Sequence, residues 1–140
     1  MKIKIAWIGK TKEPAIDSLS AEYLKRLSRD AEGLTVKDEA ALLRLAHNKH
    51  RLVLLDSRGK QFTSEEFAEF IREHLEKNAL PLVFAIGAAN GFTDETRKAA
   101  STVISLGKIT MPHELARVVL IEQVYRAFTI LNRHPYHLGH

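Results

Sequence analysis

No cysteine occurs anywhere in the 140 residues. That excludes disulfides, thiolate metal ligands and a cysteine nucleophile, and it suits a reducing compartment; a cytoplasmic location is the expectation. Also missing is any apolar run of about 18 residues, the length a membrane-spanning helix needs, so no membrane partner is expected. The opening MKIKIAWIGKTKE alternates charge with hydrophobe and lacks the continuous apolar core of a secretory signal. No G-x-S-x-G elbow is present, which leaves a serine hydrolase without its nucleophile. Gly9-Lys10-Thr11 has the ending of a phosphate-binding loop, but Lys4 stands where that motif requires its first glycine. Gly87-x-x-x-Gly91 lacks the close glycine pair of a dinucleotide fingerprint. His134, His137 and His140 are spaced three apart with no carboxylate or thiol beside them, so no metal site is expected.

What remains is a chain that is 45% hydrophobic, with 21 basic against 17 acidic residues and a net charge of +4. This is enough apolar content for one core, and residues 1–140 read as one domain with a mild preference for a polyanionic partner. The periodicity switches repeatedly between strand and helix. Strands are expected at 2–8, 32–36, 51–56, 80–86 and 102–106, and helices at 14–29, 38–48, 93–100 and 112–132. Another helix should start at Thr63 or Ser64, where Thr63-Ser64-Glu65-Glu66 has capping-box spacing. The runs RLVLLD and LPLVFAI read as strands buried on both faces, while residues 57–60 read as a turn. Such alternation predicts an α/β fold: a mostly parallel sheet with helices on both faces.

Parallel sheets bind ligands beyond the carboxyl ends of their strands. Three glycine-bearing loops fall there, after Leu55-Asp56, after Ile86 and after Leu106. Asp56 is placed either to hold a ligand hydroxyl or to accept backbone N–H bonds in the turn that follows. The last quarter of the chain is the most distinctive. Its helix is apolar nearly all round, with Leu115, Val118, Val119, Ile121, Tyr125 and Phe128 on one arc and Leu120, Val124, Ala127 and Leu131 on another. Burial on two sides is implied, against the sheet and against a second subunit or more of the same chain. Arg126 is either held by Glu122 one turn earlier or free to meet a ligand. Beyond the helix, Arg133-His134-Pro135-Tyr136-His137 crowds ionisable and aromatic groups in a way packing does not require.

The strings LDSRGKQFTSEEFAEFI, VFAIGAANGF and, above all, SLGKITMPHELARVVLIEQVYRAFTILNRHPYH resemble the bacterial ribosomal RNA large subunit methyltransferase H family, minimal members of the knotted SPOUT class. The resemblance implies a homodimer with a C-terminal trefoil knot. It implies S-adenosylmethionine as methyl donor, and N3 of a pseudouridine in 23S ribosomal RNA, on assembled ribosomes, as acceptor. It places the cofactor at Leu55, Gly87 and the run Leu106, Gly107, Lys108, Ile109, Thr110 and Met111. His137, Tyr136 and Arg126 are then the candidates for chemistry, with Arg133 and His134 for RNA. Two positions depart from the family pattern: Ala88 stands where a second glycine is usual, and Leu138 where arginine or lysine is usual. The rival readings are a ribosome-binding homologue without activity and a flavodoxin-like small-ligand module.

Overall fold

The computed structural model describes residues 3–139 and leaves out the His137 side chain; expectations resting on Lys2, His140 or that side chain lie outside the described residues. Five parallel strands form the sheet: β1 Ile3–Ile8, β2 Ala31–Val36, β3 Arg51–Gln61, β4 Leu82–Ile86 and β5 Thr102–Ser105, in the order β2-β1-β4-β3-β5. Five helices connect and follow them: α1 Pro14–Leu27, α2 Glu39–His47, α3 Ser64–Lys77, α4 Asp94–Ala99 and α5 His113–Leu131.

Side-chain alternation along the strands sorts the interior into two layers. Ile3, Ile5, Val53, Phe84 and Ile104 face α1, α3 and α5, where Leu27, Ile71, Leu120 and Val124 meet them. Ala6, Leu52, Leu54, Val83 and Ala85 face the other way, onto Leu42 of α2 and Phe92. Both faces are therefore covered, as the unbroken apolar runs required. The flavodoxin-like alternative falls on strand order: that fold runs 2-1-3-4-5, whereas here β4 lies between β1 and β3.

Helix starts follow local chemistry. The capping box of α3 is complete, with Glu66 N donating to Thr63 Oγ1 at 3.0 Å and Thr63 N donating to Glu66 Oε1 at 2.8 Å. Helix α1 begins on Pro14, and its leading amides from Lys12 and Glu13 donate to the Glu114 carboxylate at 2.9–3.1 Å. One turn along α5, Arg117 is 1% exposed and donates to Ile8 O at 2.8 Å and Thr11 Oγ1 at 3.0 Å. The residues Gly9-Lys10-Thr11 thus form a connection clamped to α5.

Two expectations need correction. Residues 57–60 do not simply turn out of the sheet. Leu55 pairs with Ile104 and Lys60 returns to pair with Ile104 again, so Asp56 to Gly59 make an excursion within β3. The chain there runs so close to β5 that a Cβ on Gly59 would lie 2.6–2.7 Å from main-chain atoms of Val103 and Ile104, a gap only glycine tolerates. The second correction concerns α5. Were the second covering of α5 another subunit, Val118 and Ile121 would be candidates to meet it, but they are 5% and 0% exposed within one chain. Helices α1 and α3 flank α5, and on the arc of Leu115, Val118 and Ile121 the latter two are buried within the chain while Leu115 stays exposed.

Near the amino ends of β3 and β4, buried His74 lies with Nε2 2.8 Å from Leu80 O and Nδ1 3.2 Å from Arg51 Nη1. Arginine only donates, so Nδ1 accepts and Nε2 carries the proton of a neutral ring. Burial pushes this imidazole below its ordinary pKa, nearby Arg51 adds to that, and the bond to Leu80 opposes it. The unfolded chain therefore binds the proton more readily. The contribution is complete above the unfolded value of about 6.5 and is lost as pH falls through the folded value. Urea midpoints at pH 7.5 and 5.0 should fall further for the wild type than for His74→Gln; equal falls would contradict the assignment.

Candidate functional site

The carboxyl ends of β3, β4 and β5 surround a cavity of about 400 Å³, within the range of small-molecule sites. Leu55 stands on one side, Gly87 on the next, and the segment after β5 closes the third. Ser105 fixes that segment. Its hydroxyl donates to Gly107 O at 2.8 Å and accepts from Gly107 N at 3.0 Å. Gly107 has φ +136°, which other residues rarely adopt. Leu106, Ile109, Thr110 and Met111 extend the wall, and His113 and Ala116 bring in the first turn of α5. The sequence expectation for the cofactor is thus gathered around one space, except that Lys108 is not among the lining residues. Ala88 lines the cavity without closing it.

Sequence reasoning named Asp56 but missed the two arginines, Arg58 and Arg97, on the charged side of this cavity. Asp56 Oδ1 accepts from Arg58 N at 2.9 Å and Arg58 Nε at 3.2 Å. Its Oδ2 accepts from Arg58 Nη2 at 3.3 Å and from Arg97 Nε and Nη2 at 3.3 and 3.1 Å. The Arg58 guanidinium, with help from the Arg58 amide and Arg97, holds this carboxyl down at about 2 against the effect of burial. Five donors saturate the roughly four lone-pair sites of a carboxylate, so Asp56 has no acceptor left for a ligand hydroxyl in this arrangement. Of its two expected roles, the turn-stabilising one is the role seen. Arg58 follows Asp56 by two residues, the spacing of an Asx turn, and Arg97 follows Asp94 by three on α4; those were the available signals.

The tail forms a separate cluster. Residues Pro135–Gly139 make a 3-10 turn that folds back on α5. Tyr136 packs edge-on against Tyr125 with ring centres 4.8 Å apart, under the Arg126 guanidinium at 5.4 Å. Its hydroxyl lies 3.2 Å from Tyr23 Oη and donates to Glu122 Oε1 at 3.2 Å. Glu122 also accepts from Arg126 Nη2 at 2.5 Å, so Arg126 is held rather than free. Burial first, then the bond with Tyr23 and the charge of Glu122, push the Tyr136 phenol above its ordinary pKa; it is a neutral donor at physiological pH. His134 is exposed and accepts from Tyr136 N at Nδ1, 3.1 Å away, and Arg133 is exposed at the end of α5 with φ 56°.

Neither Arg126, Arg133, His134 nor Tyr136 lines the cavity. Ten residues of α5 separate Ala116 from Arg126, about 15 Å of helix. Within one chain the structure gathers the expected cofactor residues other than Lys108 around one cavity and sets Tyr136 against Arg126, but it keeps these two groups apart. Among the described residues, no set of three His, Asp or Glu side chains could hold a metal ion, and no helix is long and apolar enough to cross a membrane.

Solved structures share this fold at low sequence identity. The SpoU methyltransferase AviRb from Streptomyces viridochromogenes, determined with AdoMet, aligns at TM-score 0.55 and 13% identity, covering 89% of this chain and 57% of its own. A Legionella pneumophila protein determined with bound SAM aligns at 0.53 and 13%, covering 91% and 66%. The chain therefore spans about two thirds or less of those solved chains. Sequence relatives match end to end. The ribosomal RNA large subunit methyltransferase H of Koribacter versatilis is 55% identical with all of both chains covered. That of Geobacter sulfurreducens is 40% identical, covering 98% of this chain and 99% of the relative. A family model described as "Predicted SPOUT methyltransferase" matches residues 1–137. The chain belongs to the SPOUT methyltransferases, in the ribosomal RNA large subunit methyltransferase H family.

Proposed function

We propose that the protein transfers a methyl group from S-adenosylmethionine to N3 of a pseudouridine in 23S ribosomal RNA, acting as a homodimer on assembled ribosomes. The observation that carries the reading is the cavity: its three walls are the three segments that the family resemblance assigns to the cofactor. Backbone N–H and C=O groups of the segment 106–111 suit an adenine edge and ribose, and Leu55, Leu106 and Met111 supply apolar walls. S-adenosylmethionine supplies a methyl group already activated by its sulfonium, so no metal or protein nucleophile is required. The cavity stays open beside Ala88, which favours an active enzyme over a binding-only homologue.

The acceptor N3–H is flanked by two carbonyls and is mostly protonated at neutral pH. As the N–C bond forms and the S–C bond breaks, that proton must leave, to a base or to water, and a nearby cation lowers the cost of the developing anion. His137 is the proposed base, Arg126 the proposed cation, and Arg133 and His134 the proposed RNA contacts, with Tyr136 seating the tail. Because the tail cluster and the cavity lie apart within one chain, the proposed site is completed by a second subunit. Ile109 at 84% exposure and Leu115 at 41% are apolar side chains beside the cavity that such a partner would cover. A threaded, knotted path is part of the proposal, and the close passage of Gly59 over β5 is compatible with it.

A Cβ at Gly87 would meet Gly91 and the Phe92 ring at 3.3–3.4 Å, tight but compatible with small adjustments. Valine adds two methyl groups at that position on the cavity wall. Gly87→Val should therefore lower S-adenosylmethionine affinity at least about 100-fold while its circular dichroism stays native. Calorimetry showing unchanged affinity would remove Gly87 from the site. Undetectable binding to wild type, regained in Ala88→Gly, would favour the inactive-homologue reading.

A further inference from the structure

Arg58 stands out on the cavity wall because its position is fixed and its donors are only partly used. The excursion of β3 places it beside the cavity, and its backbone N, Nε and Nη2 all engage Asp56. A guanidinium carries five N–H donors, and these contacts use one at Nε and one at Nη2. Arg97 balances the same carboxylate from behind and anchors its Nη1 on Asp94 at 3.1 Å. Two guanidiniums thus share one cavity-lining carboxylate, and Asp94, which does not line the cavity, takes up the charge of Arg97, so Arg58 is the cation that faces the cavity with donors to spare. The Arg58 side chain is 69% exposed, so no burial penalty opposes a ligand reaching it.

We infer that Arg58 forms a carboxylate subsite of the cavity, taking the carboxylate of the cofactor's amino-acid end, with Asp56 and Arg97 as residues that position it. The inference rests on the cofactor reading above. Its chemical logic is charge matching. S-adenosylmethionine carries a sulfonium, an ammonium and a single anionic group, and the carboxylate is what an unsaturated guanidinium edge recognises. Asp56, already saturated, is not the acceptor for the ligand's hydroxyl or ammonium groups. Its work is to pin Arg58 through three donors, so that little side-chain freedom is lost when the ligand arrives.

The test compares two ligands that differ in that carboxylate alone: S-adenosylhomocysteine and S-adenosyl-3-thiopropylamine, which has hydrogen in its place. Calorimetry on the full-length protein should show wild type preferring the first by roughly three- to tenfold, the scale of one solvent-exposed charge-assisted contact. Arg58→Ala should bind both equally, keeping the wild-type affinity for the decarboxylated ligand, and Arg58→Lys should recover part of the preference. A preference unchanged in Arg58→Ala overturns the inference. So does an equal loss of both ligands, or a defect seen only in the KM for ribosomes, which would make Arg58 an RNA phosphate contact. Binding of neither ligand to wild type would instead overturn the cofactor reading, and the subsite with it.

Discussion

Removing the residues after Asn132 is expected to cut methyl transfer by orders of magnitude while leaving S-adenosylmethionine affinity within a few fold. Among the described residues, none of the tail lines the cavity proposed for the cofactor, whereas every group proposed to act on the RNA except Arg126 would be deleted. The deletion also removes the ring contact of Tyr136 with Tyr125, at a cost of about 1 kcal/mol. That is a modest fraction of a typical domain stability of about 5–15 kcal/mol, so the fold should persist. Single variants divide the effect. His137→Ala should lose roughly 100-fold or more if it removes the proton, the usual scale for a general base. Tyr136→Phe keeps the ring packed and loses the hydroxyl bonds to Glu122 and Tyr23, so its loss should be smaller. Single-turnover methylation of ribosomes, measured beside calorimetry, separates the two steps. Full turnover in the truncated protein would end the assignment of chemistry to the tail.

Ile121→Asp is expected to unfold the chain, not to release folded monomers. Ile121 is wholly buried, packed with Leu120 and Val124 in the layer between α5 and the sheet. An aspartate there would lose the apolar contacts and leave a carboxylate without a partner, on the order of 4 kcal/mol or more. Ile121→Val, which removes one methylene, should cost only about 1 kcal/mol. Urea denaturation followed by circular dichroism distinguishes the outcomes. A cooperative, native-like transition for Ile121→Asp in a species half the wild-type mass would return this residue to a subunit interface.

That second prediction marks a limit of sequence reading. An apolar surface around most of α5 says that the helix is buried on two sides but does not say by what. Here Val118 and Ile121 are buried within the same chain, with α1 and α3 flanking α5. Nor does the sequence say that Arg117 is buried, which it is because Ile8 O and Thr11 Oγ1 lie within its reach. The alternation of strands and helices, by contrast, was legible because RLVLLD and LVFAI supply both faces of the sheet at once, Val53 and Phe84 to one layer and Leu54 and Ala85 to the other. Residues 56–59 were not legible. Asp-Ser-Arg-Gly has the composition of a turn, and only the approach of Gly59 to β5 reveals an excursion that returns to the same partner strand. The segments that line the cavity were legible through the family resemblance and the general rule for strand ends. The pairing of Asp56 with Arg97 was missed because the two are 41 residues apart and meet only once β3 and α4 are placed.

The most direct test of the central proposal is mass mapping of 23S ribosomal RNA from cells lacking this protein and from the same cells regaining it. The expected result is one methyl group, absent in the first and restored in the second, on a base fragment containing a pseudouridine. It should be restored by wild type and not by Gly87→Val. Identical methylation in all three samples would contradict the account.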